Sequence, residues 1–113
     1  MSLVFSATSN VWQKKKGSLS ASSAVIVDTF VASSFDGAEY FLLFKNLAGD
    51  LVKSLKLSVQ KVDGDTKDLV YSRYGDNVKV DVSTALSAGS FELTFTNNEL
   101  FTVEYRLARL QLN

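Results

Sequence analysis

The side chains that could perform chemistry in this chain are mainly acids, because the sequence contains no His and no Cys. His is the commonest general base and transition-metal ligand, and the Cys thiolate is a strong nucleophile. Their absence argues against zinc, copper and haem sites and against Ser-His or Cys-His nucleophiles. It also excludes a disulfide framework. We therefore expect no cofactor, and a domain held together by its core.

One acidic cluster has a spacing that is superficially like a calcium loop. Asp63, Asp65 and Asp68 lie within the segment DGDTKD. Calcium takes six to eight oxygen ligands, and the bidentate Glu that ends an EF-hand loop is missing here. Lys67 within the cluster would also oppose a cation. Because Asp and Gly are typical turn residues, a hairpin tip is the favoured interpretation, and no metal site is predicted.

A second use of acids would be glycoside hydrolysis, which needs two carboxyl groups in a cleft, one of them with a raised pKa. Asp28 and Glu39 have the most apolar sequence surroundings, whereas Glu92 and Glu104 lie on the polar side of predicted strands. Nothing in their spacing brings two of them to the separation that this reaction requires. We therefore predict a non-catalytic protein, with a small hydrolase as an alternative.

Aromatic side chains give a third candidate activity, because exposed rings can stack on sugars. Trp12, Tyr71, Tyr74 and Tyr105 are candidates. Most aromatic side chains of an all-β domain serve its core and its cross-strand pairs. Trp12, Tyr71 and Tyr74 are kept as candidate contacts with a partner or a glycan.

The chain is organised around the segment from Ala24 to Asn46, which predicts two strands joined by a turn. In its second half, Tyr40, Leu42 and Phe44 alternate with Phe41 and Leu43, so both faces of the strand are apolar. Such a strand is central in a packed structure or is pressed against a neighbouring subunit.

Further strands are indicated by alternation of apolar and polar residues, most clearly at Phe91, Leu93 and Phe95. Residues 83–89 predict a loop or a single helical turn. If residues 63–65 form a three-residue hairpin loop, Val59 lies opposite Leu69 and Leu57 opposite Tyr71. The apolar residues change phase after Leu107, to Leu110 and Leu112, which predicts a bulge or a change of partner strand. The other alternating segments are Val25–Val31, Leu55–Val59, Val78–Val82 and Phe101–Leu107.

Seven or eight short strands without a convincing helix predict an all-β fold, an antiparallel β-sandwich of jelly-roll or immunoglobulin-like type with about 8 strands. We assign residues 24–113 to the sandwich. Residues 1–23 are an N-terminal arm or an edge strand with a Ser-rich connection. In the arm interpretation Trp12 anchors a partner. In the favoured interpretation Trp12 covers the core, and Lys14, Lys15 and Lys16 discourage edge pairing.

The charge balance and the termini limit the range of partners. Lys and Arg number 12 and Asp and Glu number 12, so the formal net charge is zero. This argues against nucleic acid, which needs a positive surplus, and it suits a protein that assembles. No apolar run approaches the ~20 residues of a membrane helix, so no membrane contact is predicted. Residues 1–10 lack the pattern of a signal peptide, which predicts a cytoplasmic location unless the protein is part of a virion.

Between residues 22 and 112 the order of strand and turn types resembles a small β-sandwich module of virion structural proteins of tailed bacteriophages, of the tail-fibre and neck type. The resemblance implies a non-catalytic structural role, a virion location, and a homo-oligomer, expected to be a trimer, that also contacts other virion proteins. The two-sided strand and the phase-switched tail support it independently, because they leave apolar surface for a subunit contact. A carbohydrate-binding or adhesion module is the alternative. The matching segments are Val27–Phe30, Ser34–Phe35, Ala38–Tyr40, Asp63–Gly64, Tyr71–Gly75, Asp81–Ser83 with Gly89, Phe91–Phe95, and Arg106 or Arg109. The predicted oligomer contacts are Phe41, Leu43, Leu107, Leu110 and Leu112.

Overall fold

The computed structural model describes residues 12–34, 36–62 and 65–112. These residues form eight β-strands and one short 3-10 helix at Ala32–Ser34. The predicted all-β fold is confirmed. None of the described residues belongs to a helix that is long and apolar enough to cross a membrane. The strands are β1 (Gln13–Leu19), β2 (Ala24–Val31), β3 (Gly37–Asn46), β4 (Val52–Val62), β5 (Asp65–Gly75), β6 (Val80–Ser87), β7 (Ser90–Asn97) and β8 (Val103–Leu112).

The strands form two antiparallel sheets that pack face to face as a sandwich. The five-stranded sheet has the order β1-β8-β3-β4-β5, and the three-stranded sheet has the order β2-β7-β6. The two-sided apolar strand β3 lies in the middle of the larger sheet, which is one of the two arrangements that its sequence allows. Gln13–Leu19 forms the edge strand β1, which pairs with β8.

The core lies between the two sheets and consists mainly of Leu and Val side chains packed around a group of aromatic rings. Phe44 meets Phe95 edge to face with ring centroids 4.9 Å apart, and Phe30 stacks on Phe91 at 4.7 Å. Phe95 also contacts Tyr105 at 5.4 Å. The alternation in β7 is confirmed, because Phe91, Leu93 and Phe95 are all fully buried. Tyr105 therefore serves the core.

A bulge in β2 brings a charged side chain into this core. The pairing of β2 with β7 shifts between Ile26 and Asp28, so Val27 has no partner. Val27 and Asp28 are adjacent in sequence, yet both are buried. Simple alternation places them on opposite faces, and the extra residue of the bulge removes that constraint.

The predicted register of the β4–β5 hairpin is wrong by one residue. Val62 pairs with Asp65, which leaves two residues between the strands and not three. Val59 therefore lies opposite Asp68, and Leu57 opposite Val70. A register shift at Lys56 and Leu57 leaves Tyr71 without a direct partner.

The expected loop or helical turn at residues 83–89 is also wrong, because β6 continues to Ser87 and pairs there with Ser90. The two residues of the β6–β7 turn, Ala88 and Gly89, have φ values of 50° and 82°. Positive φ at both central residues is the geometry that a tight hairpin needs. Ala rarely adopts this conformation. With Ala88 in place of the usual Asn, the turn lacks the Asn-Gly sequence from which such a hairpin is predicted.

The change of phase in β8 reflects neither a bulge nor a change of partner. β8 pairs with β3 without interruption from Val103 to Leu112. Leu107 lies in the core, and the next inward positions belong to Arg109 and Gln111. Leu110 and Leu112 therefore fall on the outer face. The inward Arg109 is explained by the ion pair that it makes with Asp28.

Candidate binding face

The outer face of the five-stranded sheet, on the side opposite the core, combines apolar and basic side chains. Because side chains alternate along a strand, the neighbours of the buried core residues point outward. In β3 these are Glu39, Phe41, Leu43 and Lys45, and Phe41 is 45% exposed. Phe41 lies between Ala108 on β8 and Lys56 on β4.

A groove of about 570 Å³ crosses this face. Phe41, Leu43 and Ala108 give it an apolar floor. Lys14 lies opposite Ala108, and Lys16 lies opposite Arg106, so the edge strand β1 supplies one cationic wall. We call this feature the basic groove; its lining includes Lys14, Lys15, Lys16, Phe41, Leu43, Ser54, Arg106 and Ala108.

Lys15, which also lines the groove, is paired with Asp28, whereas the other cations of the lining have no acidic partners among the residues that the structure describes. The described ion pairs involve Asp28 and Glu104, and none includes Lys14, Lys16 or Arg106. Lys56 contacts the ring of Phe41, with its Nζ 4.8 Å from the centroid. Unpaired cations around an apolar floor favour an anionic partner that carries an apolar group.

The three aromatic side chains proposed as partner or glycan contacts lie at the two opposite edges of this sheet. Trp12 precedes β1 and lies against Phe41, with ring centroids 5.4 Å apart. The expectation that Trp12 covers the core is therefore wrong. Tyr71 and Tyr74 lie on β5, the other edge strand, and both are exposed.

The predicted oligomer contacts fall on two sides of the sheet. Phe41 and Leu112 are 45% and 44% exposed, and Leu43 and Leu110 are partly buried on the same outer face. Leu107 differs, because it is 4% exposed and belongs to the core. The outer face thus carries four of the five.

Three of the four acids considered for catalysis, Asp28, Glu39 and Glu104, are held in structural contacts. Asp28 is 2% exposed. Its carboxylate accepts hydrogen bonds from Lys15 Nζ at 2.8 Å, Arg109 Nη1 at 2.8 and 2.9 Å, and the Tyr40 hydroxyl at 2.8 Å. The guanidinium of Arg109 also lies 4.6 Å from the centroid of the Phe30 ring. This cluster joins β2 of the small sheet to β1, β3 and β8 of the large one.

Burial, followed by the negative charge of Asp28, raises the pKa of the Tyr40 hydroxyl far above its ordinary value. The neutral hydroxyl is the form that can donate a hydrogen bond to the carboxylate. Tyr40 is therefore a fixed donor at physiological pH.

Glu39 and Glu104 also have local partners. Glu39 accepts hydrogen bonds from the Ser58 hydroxyl at 2.6 Å and the Tyr71 hydroxyl at 3.0 Å. Partial desolvation and the hydrogen bond to Glu39 raise the pKa of Tyr71. Glu104 lies 4.0 Å from Lys45.

The acids of the DGDTKD segment lie only partly within the described residues, since 63 and 64 fall outside them. Asp65 accepts a hydrogen bond from the Thr66 amide at 2.8 Å, and Asp68 accepts one from the Thr84 hydroxyl at 2.7 Å. The described residues contain no group of three or more acidic side chains placed to hold a metal ion.

Sequence reasoning missed the cationic part of the groove. It treated the lysines of β1 only as blockers of edge pairing, and it gave Arg106 no role at this face. The alternation of residues in β8 could have placed Arg106 on the outer face, because Arg106 and Ala108 share a face with Leu110. Their meeting with β1 depends on a pairing between residues ~90 positions apart, which no local pattern reveals.

No profile of a known protein family matches the chain, and no curated protein matches it in sequence. Solved structures do share its fold. The tailspike protein gp49 of Acinetobacter baumannii bacteriophage Fri1, a capsular polysaccharide depolymerase, is similar over 96% of this chain and 19% of its own length, with a TM-score of 0.50 and 11% identity.

Two further tailspike proteins are also similar. That of Acinetobacter baumannii phage AM24 has a TM-score of 0.47 and 9% identity, over 95% of this chain and 27% of its own. That of Acinetobacter phage vB_ApiP_P1 has the same TM-score and identity, over 98% of this chain and 23% of its own. The chain thus spans 19–27% of the length of these tailspike proteins. At 11% identity the likeness to the Fri1 tailspike concerns the fold alone.

Proposed function

We propose that this protein is a non-catalytic building block of a phage tail appendage, and that it acts by assembling with further copies of itself and with other virion proteins. The observation that carries the proposal is the outer face of the five-stranded sheet. Its apolar residues Phe41 and Leu112 are exposed in the single chain, and a second protein surface would remove them from water. The fold shared with part of the Fri1 tailspike supports the location in a virion.

The absence of catalysis is part of the proposal, and the placement of the acids supports it. Asp28 is buried among its partners, and Glu39 is hydrogen-bonded to Ser58 and Tyr71. A general acid or base must reach the substrate proton that it transfers. An assay of the purified protein against acidic and neutral polysaccharides should show no release of reducing ends, and release that is lost in Glu39→Gln would favour the small hydrolase.

The assembly itself is tested by the mass of the purified protein in solution. Size-exclusion chromatography with light scattering should give a multiple of the chain mass, expected to be three. A single-chain mass at every concentration up to the solubility limit would contradict the proposal.

A second candidate function, carbohydrate binding, is favoured by one observation. Trp12, Tyr71 and Tyr74 are exposed aromatic side chains at the two edges of the same sheet. A glycan array tests this function. If the protein binds glycans, the wild type should be retained and Trp12→Ala or Tyr74→Ala should weaken the retention. If the protein only assembles, the wild type should give no hits.

A further inference from the structure

The edge strands β5 and β6 of the two sheets lie beside each other along one side of the sandwich. At one end of this side, the Thr84 hydroxyl is hydrogen-bonded to the Thr66 hydroxyl at 2.9 Å and donates to the Asp68 carboxylate at 2.7 Å. Toward the other end, a cleft of about 470 Å³ opens between the strands, and we call it the edge cleft. The charged residues of its lining are Lys53, Arg73, Lys79 and Asp81.

Two of these cations lie on the inner face of the large sheet, where alternation would place core residues. Lys53 pairs with the buried Phe44, and its Nζ lies 5.9 Å from the centroid of that ring. Arg73 pairs with Leu55, which is also buried. Directly opposed residues of an antiparallel pair share a face of the sheet. Lys53 and Arg73 therefore point toward the space between the sheets.

Neither cation has a counter-charge in contact with it. Among the residues that the structure describes, no carboxylate lies within ion-pair distance of Lys53, Arg73 or Lys79. Burial, followed by the positive charge of Arg73, lowers the pKa of Lys53. The carboxylates of Asp81 and Glu99 act in the opposite direction but do not outweigh these two effects. The folded protein thus holds two cations together in a partly desolvated place.

The acids on or next to the lining of the edge cleft are held by other groups. Asp76 and Glu99 accept hydrogen bonds from backbone amides at 2.9 Å. Asp81 accepts one from the side chain of Asn98, also at 2.9 Å. These bonds keep the carboxylates away from the two inward cations.

We propose that the edge cleft binds a small ligand that carries a carboxylate or phosphate group, with the anionic oxygens between Lys53 and Arg73 and hydroxyl groups of the ligand near Asp81 and Asn98. A guanidinium offers a planar pair of donors to such a group, and an ammonium adds a point charge. The volume of the cleft lies in the range of small-molecule sites. The site goes beyond the proposed function and does not depend on it, because one chain contains all of these residues.

The charge of the lining selects an anion over a neutral or cationic ligand. Three positive groups face one negative group, Asp81, so a second cation would be repelled. A neutral ligand would leave Lys53 and Arg73 without a counter-charge. An oxyanion gives both of them a partner and relieves their mutual repulsion.

NMR titration of the isotope-labelled protein tests the binding. The probes are sodium phosphate and sodium glucuronate, with the ionic strength held constant by sodium chloride and with glucose as the neutral control. At least one anion should give saturable shifts of the Val80 and Asn98 amides, and glucose should give none. Tighter binding of phosphate would indicate a phosphate-bearing ligand, and tighter binding of glucuronate a carboxylate-bearing one. Absence of saturable shifts with both anions would overturn the inference.

Substitutions show whether the two inward cations hold the anion. Lys53→Met and Arg73→Gln should each raise its dissociation constant by about tenfold or more, as loss of a charge-assisted hydrogen bond does. Lys67→Gln is the matched control, because Lys67 is an exposed cation on the outer face of the same strand β5 as Arg73. Its effect should stay within about twofold. Equal weakening in all three variants would indicate a general charge effect and would contradict the site.

Urea unfolding separates binding from a purely structural role of Lys53. In buffer without phosphate or glucuronate, Lys53→Met should be at least as stable as the wild type, because it removes a partly buried cation that lacks a partner. The anion that binds should raise the urea midpoint of the wild type and leave that of Lys53→Met unchanged. If Lys53→Met is instead less stable than the wild type, and the anion raises both midpoints equally, Lys53 serves the fold alone and the inference fails. Circular dichroism checks that each variant is folded.

Discussion

Asp28 accepts hydrogen bonds from three side chains on three strands of the opposite sheet. Lys15 and Arg109 compensate its charge, and Tyr40 satisfies a further lone pair. A buried carboxylate is tolerated only when it is paired and hydrogen-bonded in this way. The cluster therefore determines which parts of the two sheets lie opposite each other.

Asp28→Asn should destabilise the fold by about 3–5 kcal/mol, because it leaves the cationic partners of Asp28 without a counter-charge. Urea unfolding measures the difference. The control is Glu104→Gln, which removes a half-exposed pair with Lys45 and should cost about 0.5 kcal/mol or less. Equal losses in the two variants would contradict a special role for Asp28.

The raised pKa of Tyr40 predicts a loss of stability at alkaline pH. In the unfolded chain Tyr40 ionises near pH 10, whereas in the folded protein it stays neutral well above that. The unfolded state thus binds fewer protons, and stability falls above about pH 10 by up to about 1.4 kcal/mol per pH unit. Tyr40→Phe removes this contribution, since it has no hydroxyl to ionise. Urea midpoints between about pH 8 and 11.5 should decline less steeply for Tyr40→Phe than for the wild type, and parallel declines would contradict the assignment.

The sequence identifies Asp28 as an acid in apolar surroundings but does not show that it is buried. Alternation in β2 places Val27 and Asp28 on opposite faces, and only the bulge turns both inward. The partner Arg109 is 81 positions away, so the ion pair depends on the assembled sandwich.

Individual strands were predictable where one face alone is apolar. β7 is the clearest case. β3, which is apolar on both faces, was expected to be either central or at a subunit contact, and it lies in the middle of the larger sheet. The end of β6 was missed because Ala88 occupies a left-handed position that Asn or Gly usually fills. The predicted register of the β4–β5 pair was wrong because composition alone does not distinguish a two-residue loop from a three-residue loop.

The end of β5 provides a test of turn geometry. Gly75 has a φ of 103°, and a Cβ there would clash with the backbone oxygen of Val52. Gly49 has a φ of 75° but open space around it. Gly49→Ala should cost about 1–2 kcal/mol from backbone strain, and Gly75→Ala should cost about 1–3 kcal/mol more because the strand must move. Urea unfolding compares the two, and equal losses would contradict the close approach.

For the whole molecule, the prediction of an all-β sandwich is confirmed, and the apolar outer face was foreseen from the two-sided pattern of β3. Phe41 and Leu112 are exposed, and the proposed assembly would cover them. The cations that give this face its charge preference come from β1 and β8, and only the pairing of these strands brings them together.

Trp12 allows the central claim to be tested directly, because it is the only Trp in the chain and lies against Phe41 on the outer face. Quenching of its fluorescence by acrylamide should be measured as a function of protein concentration. If assembly buries this face, the quenching constant should fall by about half or more as the protein associates. A quenching constant that stays the same from the most dilute to the most concentrated sample would contradict the account.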